Sequence, residues 1–362
     1  RLRLATGVRY EKTRTHGIGP LFNPSDVYQR GPGGQLLRNA AGALVRKPEA
    51  GAVGSLQELA LVRKLRGAIA DNSYDGFYPS VHTTFSLRDN LLLRLACAKT
   101  FGRPDFNNII PNTTINENQS PGAPPDATGS INVVNNGLQP YAAKNYDLSL
   151  EYYFPQGGLA SVGAFRKDLT NFFGALVTPA TPELLSDLGL DERYVGWDVR
   201  TTINVAGAAR VTGLEFNYVQ PLTGLTSWGK YFNFTANTTK LHLQGPRATD
   251  FSGFIQRSGN IGITFSKNPV VFMLKWNYRG NQRLNAIGDM PNGFEYFAAR
   301  PTLDLNGEYQ ITRHITAFAN VRNLFNEPSI RVRKSGETPA YAHRRRLQDY
   351  GAQWAFGVKG SF

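Results

Sequence analysis

The sequence predicts an all-β chain, an antiparallel transmembrane β-barrel with short turns at one end and long loops at the other. Three observations carry this. About twelve segments alternate, residue by residue, between a large apolar side chain and a polar or small one. Successive side chains of a strand point to opposite faces, so each segment has one greasy and one wettable face. The connections between segments alternate short and long. Aromatic residues gather at or near the segment ends, where the interfacial girdles of a membrane barrel belong.

The last segment shows the pattern most clearly. Read backwards from Phe362, Gly360, Val358, Phe356, Trp354, Ala352 and Tyr350 alternate with Ser361, Lys359, Gly357, Ala355, Gln353, Gly351 and Asp349, none of them large and apolar. A soluble protein could place such a strand at a core edge. A membrane barrel requires it, with the apolar face toward lipid and the other toward a wet lumen.

The earlier segments repeat it in order. Over 1–11, Leu2, Leu4, Val8 and Tyr10 share a face with Thr6 against Arg1, Arg3, Arg9 and Glu11. A long polar stretch to about residue 76 follows, in which Ser55 and Glu58 form a capping-box pattern; a short helix near 56–66 and an irregular loop are equally compatible with it. Strands are expected over 77–87 and 91–100, joined by a tight turn at Arg88, Asp89 and Asn90. Residues 102–139 read as turns throughout. In 145–154, Tyr146, Leu148, Leu150, Tyr152 and Phe154 oppose Asn145, Asp147, Ser149 and Glu151, and 159–172 returns. Within 174–206 a surface helix is expected, capped by Thr181, with Pro182 in its first turn and Gly189 at its end. Further strands are read over 210–222, 228–243, 251–266 and 270–279, then around Leu303 to Ile311 and Ile315 to Val321, with loops over about 280–295 and 326–346. Short turns follow Leu87, Phe154, Leu222, Ser266 and Ile311. The girdle candidates are Tyr10, Tyr78, Phe101, Tyr146, Phe154, Trp228, Trp276, Tyr278, Tyr309 and Trp354.

Composition narrows the class. With 19% charged and 12% aromatic residues, the 362-residue chain is too apolar for disorder and too polar for a helical membrane bundle. The longest apolar run, 91–98, is short and contains Arg94, so no membrane helix is expected. Cys97 is the single cysteine, which rules out an internal disulfide and a cysteine-based zinc cluster. A net charge of +13 admits nucleic acid, an anionic membrane surface or an anionic solute as partners. The basic residues are spread out and no nucleic-acid motif appears, so no nucleic-acid partner is expected. The densest run, His343 to Arg346, reads as a solvated loop rather than a site. The chain starts at Arg1 without a signal peptide, as a mature product or a fragment would.

Catalytic chemistry is not indicated. A lipid-facing hydrolase would need a serine activated by a histidine. His82 is near Ser80 and Ser86 but falls on the polar face, and His16, His242, His314 and His343 are isolated in sequence. Asp187 and Asp191 belong to the expected surface helix and read as solvated. No phosphate loop or metal-ligand spacing occurs, and no cofactor is expected.

Four pieces of sequence resemble the TonB-dependent receptors of the Gram-negative outer membrane: Gly7-Val8-Arg9-Tyr10-Glu11, the stretch Lys99-Thr100-Phe101-Gly102-Arg103-Pro104-Asp105-Phe106, Val211-Thr212-Gly213-Leu214-Glu215-Phe216, and Val321-Arg322-Asn323-Leu324-Phe325-Asn326. The terminal aromatic Phe362 completes the set. Cys97 and Gly360 depart from it, at places where that family commonly has aromatics. The resemblance runs from end to end and implies about 12 strands of a 22-stranded barrel, residues 1–362 forming its C-terminal portion as a single domain, with the first strand ascending as the eleventh. The family's plug and TonB box would precede this segment, and the half-barrel would carry two open strand edges. The implied location is the outer membrane of a Gram-negative bacterium. The implied function is TonB-energised uptake of a scarce solute such as a ferric siderophore. The implied partners are the TonB complex acting through the plug, the barrel-assembly machinery, outer-membrane lipid and lipopolysaccharide, and a small solute. Trp354, Phe356, Val358 and Phe362 would form the membrane-assembly signal. Arg283, Arg331, Arg333, Arg344 and Arg345 are the loop arginines placed to face an anionic ligand such as a ferric chelate, with contact to lipopolysaccharide phosphates or water an equal alternative. A receptor for oligosaccharide or cobalamin, a complete twelve-stranded pore or enzyme, and a soluble β-rich binding protein are the other readings.

Overall fold

The computed structural model describes residues 1–120, 128–224, 226–245, 253–287 and 293–361. In chain order the elements are β1 (Leu2–Phe22), α1 (Leu56–Val62), β2 (Arg63–Arg88), β3 (Leu91–Gly102), β4 (Thr113–Asn116), β5 (Ser130–Val133), β6 (Tyr141–Tyr153), β7 (Leu159–Thr170), β8 (Phe173–Pro179), α2 (Pro182–Asp187) and β9 (Asp198–Asn204). They continue with β10 (Ala208–Pro221), β11 (Phe232–Gln244), β12 (Arg257–Lys267), β13 (Val270–Arg279), β14 (Gln282–Ala286), β15 (Phe294–Phe297), β16 (Arg300–Gln310), β17 (Ile315–Arg322), β18 (Ser329–Lys334), β19 (Arg344–Gln348) and β20 (Gln353–Gly360).

Twelve of these are staves of one antiparallel sheet, in the order β20-β17-β16-β13-β12-β11-β10-β7-β6-β3-β2-β1. Every stave is bonded to its neighbour in sequence among the long strands, as alternating short turns and long loops dictate. The predicted turns hold: two residues join β2 to β3, and Asn268 and Pro269 join β12 to β13. The sheet is open. Among the described residues β20 pairs on one edge only, with β17, and the outer edge of β1 carries only Leu21 and Phe22 against β4.

Register turns the alternation into a surface. Leu4 lies opposite Thr83, which lies opposite Leu95, then Leu148, Ala164 and Leu214. Beyond the β10–β11 ladder, Ala236 opposes Ile261, then Trp276 and Leu303. Leu305 opposes Val321, and Val321 opposes Trp354. One apolar face therefore crosses all twelve staves without a register slip that would turn it inward. The other face carries Thr84, Arg94, Ser149 and Glu151, where Arg94 Nε donates to Glu151 Oε1 at 2.8 Å and a terminal guanidinium nitrogen reaches Thr84 Oγ1 at 3.2 Å. An apolar outer face with a charged, hydrogen-bonded inner face is the arrangement of a membrane barrel.

Two expectations are corrected. Strands were read over 1–11 and 77–87, yet β1 has 21 residues and β2 has 26, because the polar pieces beyond Tyr10 and before Phe77 pair with each other. At about 3.3 Å per residue β1 spans roughly 70 Å, more than twice a hydrocarbon core of about 30 Å. Tyr10 and Tyr78 are consequently mid-strand rather than at a strand end. The hairpin parts from β3 above Ser80 and Ala98, where their pairing stops. There Tyr78 stacks on Phe101 at 4.4 Å and the Arg103 guanidinium stands 5.0 Å from the Phe101 ring.

The second correction concerns the long stretches, which are not mere turns. Residues 102–139 supply β4 and β5, which extend the sheet with β9 and β8 beside the upper end of β1. Ile115, Ile131, Ala180, Leu185, Tyr194 and Val199 close into a buried core there. Short apolar stretches in a polar loop can do this only because two distant loops meet, so local alternation does not reveal it. Gly17 and Gly19 admit the 109–111 segment against β1: a Cβ at Gly19 would lie 2.2 Å from the Pro111 carbonyl oxygen. The two helices form as their caps require. Ser55 Oγ accepts from the Glu58 amide at 3.2 Å, so the capping box starts α1. Thr181 Oγ1 accepts from the Leu184 amide at 3.2 Å, and Gly189 at φ +62° ends the turn after α2. Asp191 caps the following 3-10 turn instead of lying in the helix. Between β1 and α1, residues 28–46 wind so that the amides of Gln29, Leu37 and Val45 donate in a ring to the carbonyls of Val45, Gln29 and Leu37, each at 2.9 Å. Arg30 anchors this arm through a bidentate contact with Glu117, whose side chain is 8% exposed.

Candidate functional site

The loops read over 280–295 and 326–346 fold into a second, four-stranded sheet in the order β14-β15-β18-β19 above the long-loop ends of the staves. Its sequence basis is the short alternating runs Phe294-Glu295-Tyr296-Phe297 and Ser329-Ile330-Arg331-Val332-Arg333. All five predicted arginines fall on it: Arg283 on β14, Arg331 and Arg333 on β18, and Arg344 and Arg345 on β19. Pairing divides them between its faces. Arg331 lies opposite Phe297 and Arg333 opposite Glu295, whereas Arg283 lies opposite Tyr296, which lies opposite Val332. A bulge at Arg345, between the Arg331–Arg346 and Val332–Arg344 pairs, lets Arg345 pair with Glu295, so its charge is partly spent within the sheet.

The aromatic rings organise the remaining charge. The Arg331 and Arg279 guanidiniums stand 4.7 and 5.2 Å from the Phe297 centroid, and Arg283 stands 4.6 Å from Phe294. Stacking of this kind holds a guanidinium plane in place while leaving N–H donors at its edge. The Nε atoms of Arg279 and Arg331 are buried without an acceptor. Arg300 donates to the Glu327 carbonyl at 2.8 Å, which ties the loop after β17 to the rim. Asn323, at φ 55°, accepts from the Glu327 amide at 2.9 Å and begins a turn. The Asn-Leu-Phe-Asn piece lies just past the end of β17 rather than within the strand.

A concavity of about 370 Å³ opens between this sheet and the rim, lined by Arg283, Tyr296 and Lys334 from the sheet and by Gln256, Asn281 and Phe254 from the stave ends. It is held in place from both sides: the Arg283 amide donates to the Phe254 carbonyl at 3.2 Å, and the Gly253 amide donates to the Arg283 carbonyl at 2.7 Å. Two cations, a phenol and two carboxamides line it. Sequence reasoning reached Arg283 but not Tyr296, Lys334, Gln256 or Asn281. The available signal was the Phe-Glu-Tyr-Phe run, since a period of two inside a supposed loop marks a strand with an aromatic face. Among the described residues no cluster of three or more metal-ligating side chains occurs.

The expected assembly residues Trp354, Phe356 and Val358 project from the apolar face of β20 and are 65%, 82% and 67% exposed, as an edge stave bordering lipid requires. Phe362 lies outside the described residues, as do residues 251 and 252 of the strand expected over 251–266; β12 itself begins at Arg257. Cys97 is exposed on the apolar face opposite Val81 and Tyr146.

The chain is similar in fold to solved structures that share little of its sequence. A variant of the ferric enterobactin receptor PfeA from Pseudomonas aeruginosa is 17% identical with a TM-score of 0.58, over 81% of this chain and 42% of that one. The same receptor in complex with BCV-L6 aligns with all of this chain and 52% of its own at a TM-score of 0.60 and 14% identity. The copper transporter OprC aligns with all of this chain and 46% of its own, at 0.56 and 16%. The chain thus spans about half the length of these structures. No curated protein matches it in sequence. The sequence model described as "TonB dependent receptor-like, beta-barrel" matches residues 1–324, and the chain belongs to that family.

Proposed function

We propose that residues 1–362 are the C-terminal portion of the barrel of a Gram-negative outer-membrane receptor, and that the whole protein takes up a scarce solute such as a ferric siderophore with energy delivered through TonB. The observation that carries the solute reading is the rim concavity, where Arg283, Lys334 and Tyr296 meet on one face of a sheet built from the loops. Anionic, aromatic-rich chelates match stacked guanidiniums and a phenol in charge and shape. Family membership supports the location and the TonB partnership, and the continuous apolar face supports residence in lipid. A solved variant of PfeA is in complex with enterobactin, while OprC is a copper transporter, so the scaffold serves more than one solute and the rim side chains must select. Trp354, Phe356, Val358 and Phe362 act as the handle for the barrel-assembly machinery. Energy transduction requires a plug inside the barrel, and the role of this chain is wall and rim, not catalysis.

The intact gene product, purified and reconstituted, tests this by tryptophan quenching with ferric catecholate chelates. The Arg283→Ala and Lys334→Ala variants are each expected to weaken binding about tenfold, as loss of one charge-assisted contact does. Unchanged affinity in both variants, or saturable uptake into liposomes by the 1–362 segment alone, would overturn the reading.

A further inference from the structure

The inner face changes character on β11 and β12. Thr235, Asn237 and Thr239 point inward opposite Gly262, Asn260 and Ser258, and Asn233 below them lies opposite Thr264. The residues between them, such as Ala236 and Ile261, belong to the apolar outer face. These two staves therefore offer the lumen hydroxyls, carboxamides and a glycine and, among the described residues, no charge. The staves on either side are charged: Glu215 of β10 lies opposite Thr239, and Lys275 of β13 lies opposite Gly262. Across the strip runs one register row of asparagines on four adjacent staves, Asn217, Asn237, Asn260 and Asn277. The upper end of the strip opens on the rim concavity, which is lined by Leu243 of β11 and by Gln256, the residue before β12. There Ser258 lies opposite Arg279, one of the two guanidiniums stacked on Phe297.

The amides are arranged to hold one another and still face the lumen. Asn237 and Asn260 bond reciprocally, each Nδ2 donating to the other's Oδ1 at 3.0 Å. A carboxamide has two N–H donors and an acceptor with two lone pairs, so each partner keeps one donor and one lone pair for a third group. Asn277 Nδ2 donates to Asp304 Oδ2 at 2.9 Å, which fixes the end of the row. Lower on β11, Asn233 Oδ1 is buried without a donor among the described residues. A Cβ at Gly262 would stand 2.9 Å from Thr235 Oγ1, so glycine keeps the strip open between Asn260 and Thr264. Hydrogen bonds between neutral groups are roughly half as strong as those to a charge. Passage along a wall needs contacts favourable enough to enter and weak enough to leave, and several weak ones meet that condition. A lysine in the strip would hold an anionic solute and a carboxylate would repel it. The strip contains neither, although charged staves border it on both sides.

We infer that the uncharged strip of β11 and β12, centred on Asn237 and Asn260, contacts the anionic solute after its capture at the rim and sets the rate of its uptake without contributing to its capture. This rests on the uptake reading above and names a part of the wall for its second step. The test uses the intact gene product in whole cells and a radiolabelled ferric tris-catecholate chelate as probe. Binding to de-energised cells gives Kd, and initial uptake by energised cells gives the rate. Asn237→Asp keeps the acceptor for Asn260 Nδ2 and adds one negative charge, with no cation directly opposite. It is expected to leave Kd within about twofold and to slow uptake about tenfold, as repulsion by one carboxylate in a partly enclosed site does. The neutral Asn237→Ser, which loses one uncharged hydrogen bond, is expected to slow uptake no more than about threefold. Asn145→Asp makes the same change on the inner face of β6, outside the strip, and keeps the wild-type rate. Wild-type uptake in Asn237→Asp, an equal loss in Asn237→Ser, or a parallel loss of binding would each overturn the inference. Liposomes carrying Asn237→Asp that swell in an uncharged disaccharide would also overturn it, because the row would then hold the plug rather than meet the solute. A wild type that neither binds nor takes up the chelate refutes the uptake reading and this inference with it, whereas normal uptake that ignores the charge at 237 refutes this inference alone.

Discussion

Leu274 and Lys275 are neighbours in β13 and belong to opposite faces, which makes them an internal test of which face borders lipid. Leu274 lies opposite Ile263 on one side and Leu305 on the other, near the middle of the apolar band. Lys275 lies opposite Gly262 and Asp304 on the inner face. Placing lysine at 274 puts a cation at the bilayer midplane, at a cost of about 2–4 kcal/mol. It also removes a leucine from its apolar surroundings, about 1–2 kcal/mol more for a residue that is half-covered by protein. Leu274→Lys should therefore destabilise the reconstituted, intact barrel by about 3–6 kcal/mol. The reciprocal Lys275→Leu should change stability by no more than about 1 kcal/mol. Urea unfolding in phospholipid vesicles, followed by tryptophan fluorescence, measures both. Equal effects of the two substitutions, or the larger effect at 275, would refute the assignment of faces and with it the membrane reading.

Two further outcomes probe the loop structure. Glu117→Gln leaves the Arg30 guanidinium, 16% exposed, without its carboxylate, and should loosen the 28–46 arm by about 2–3 kcal/mol; the amides of Gln29, Leu37 and Val45 would then exchange roughly 30- to 160-fold faster, and unchanged exchange would exclude an anchoring role for the pair. The Glu58 carboxyl is held below its ordinary value of 4.5 by its hydrogen bond from Arg46 and then by the Gly54 amide. A depressed folded value means that this contribution to α1 is complete above 4.5 and is lost as pH falls through the lower folded value, so protection factors of the α1 amides should drop on acidification below about pH 4.5 in the wild type but not in Glu58→Gln.

Much of the wall was legible in the sequence. Side-chain alternation is a local consequence of the extended backbone, so Tyr146, Leu148, Leu150 and Tyr152 reveal their shared face without any knowledge of neighbours. The length of a connection is equally local, and it sets which strands can pair as hairpins; hence all twelve staves were countable. The capping box at Ser55 and Glu58 and the start of α2 at Thr181 and Pro182 were legible for the same reason, since a helix end is satisfied by residues within one turn of it.

What the tertiary structure alone decided depends on residues far apart in the chain. The extra lengths of β1 and β2 arise because two polar segments pair with each other, and polar strands carry no apolar period to announce them. The core of Ile115, Ile131, Leu185 and Val199 exists only where two loops converge. The five arginines were readable as charges in loops, but their division between two faces, the neutralisation of Arg345 by Glu295 and the meeting of Arg283 with Tyr296 and Lys334 follow from pairing register. Sequence determines which way a side chain points; the fold determines which others stand beside it.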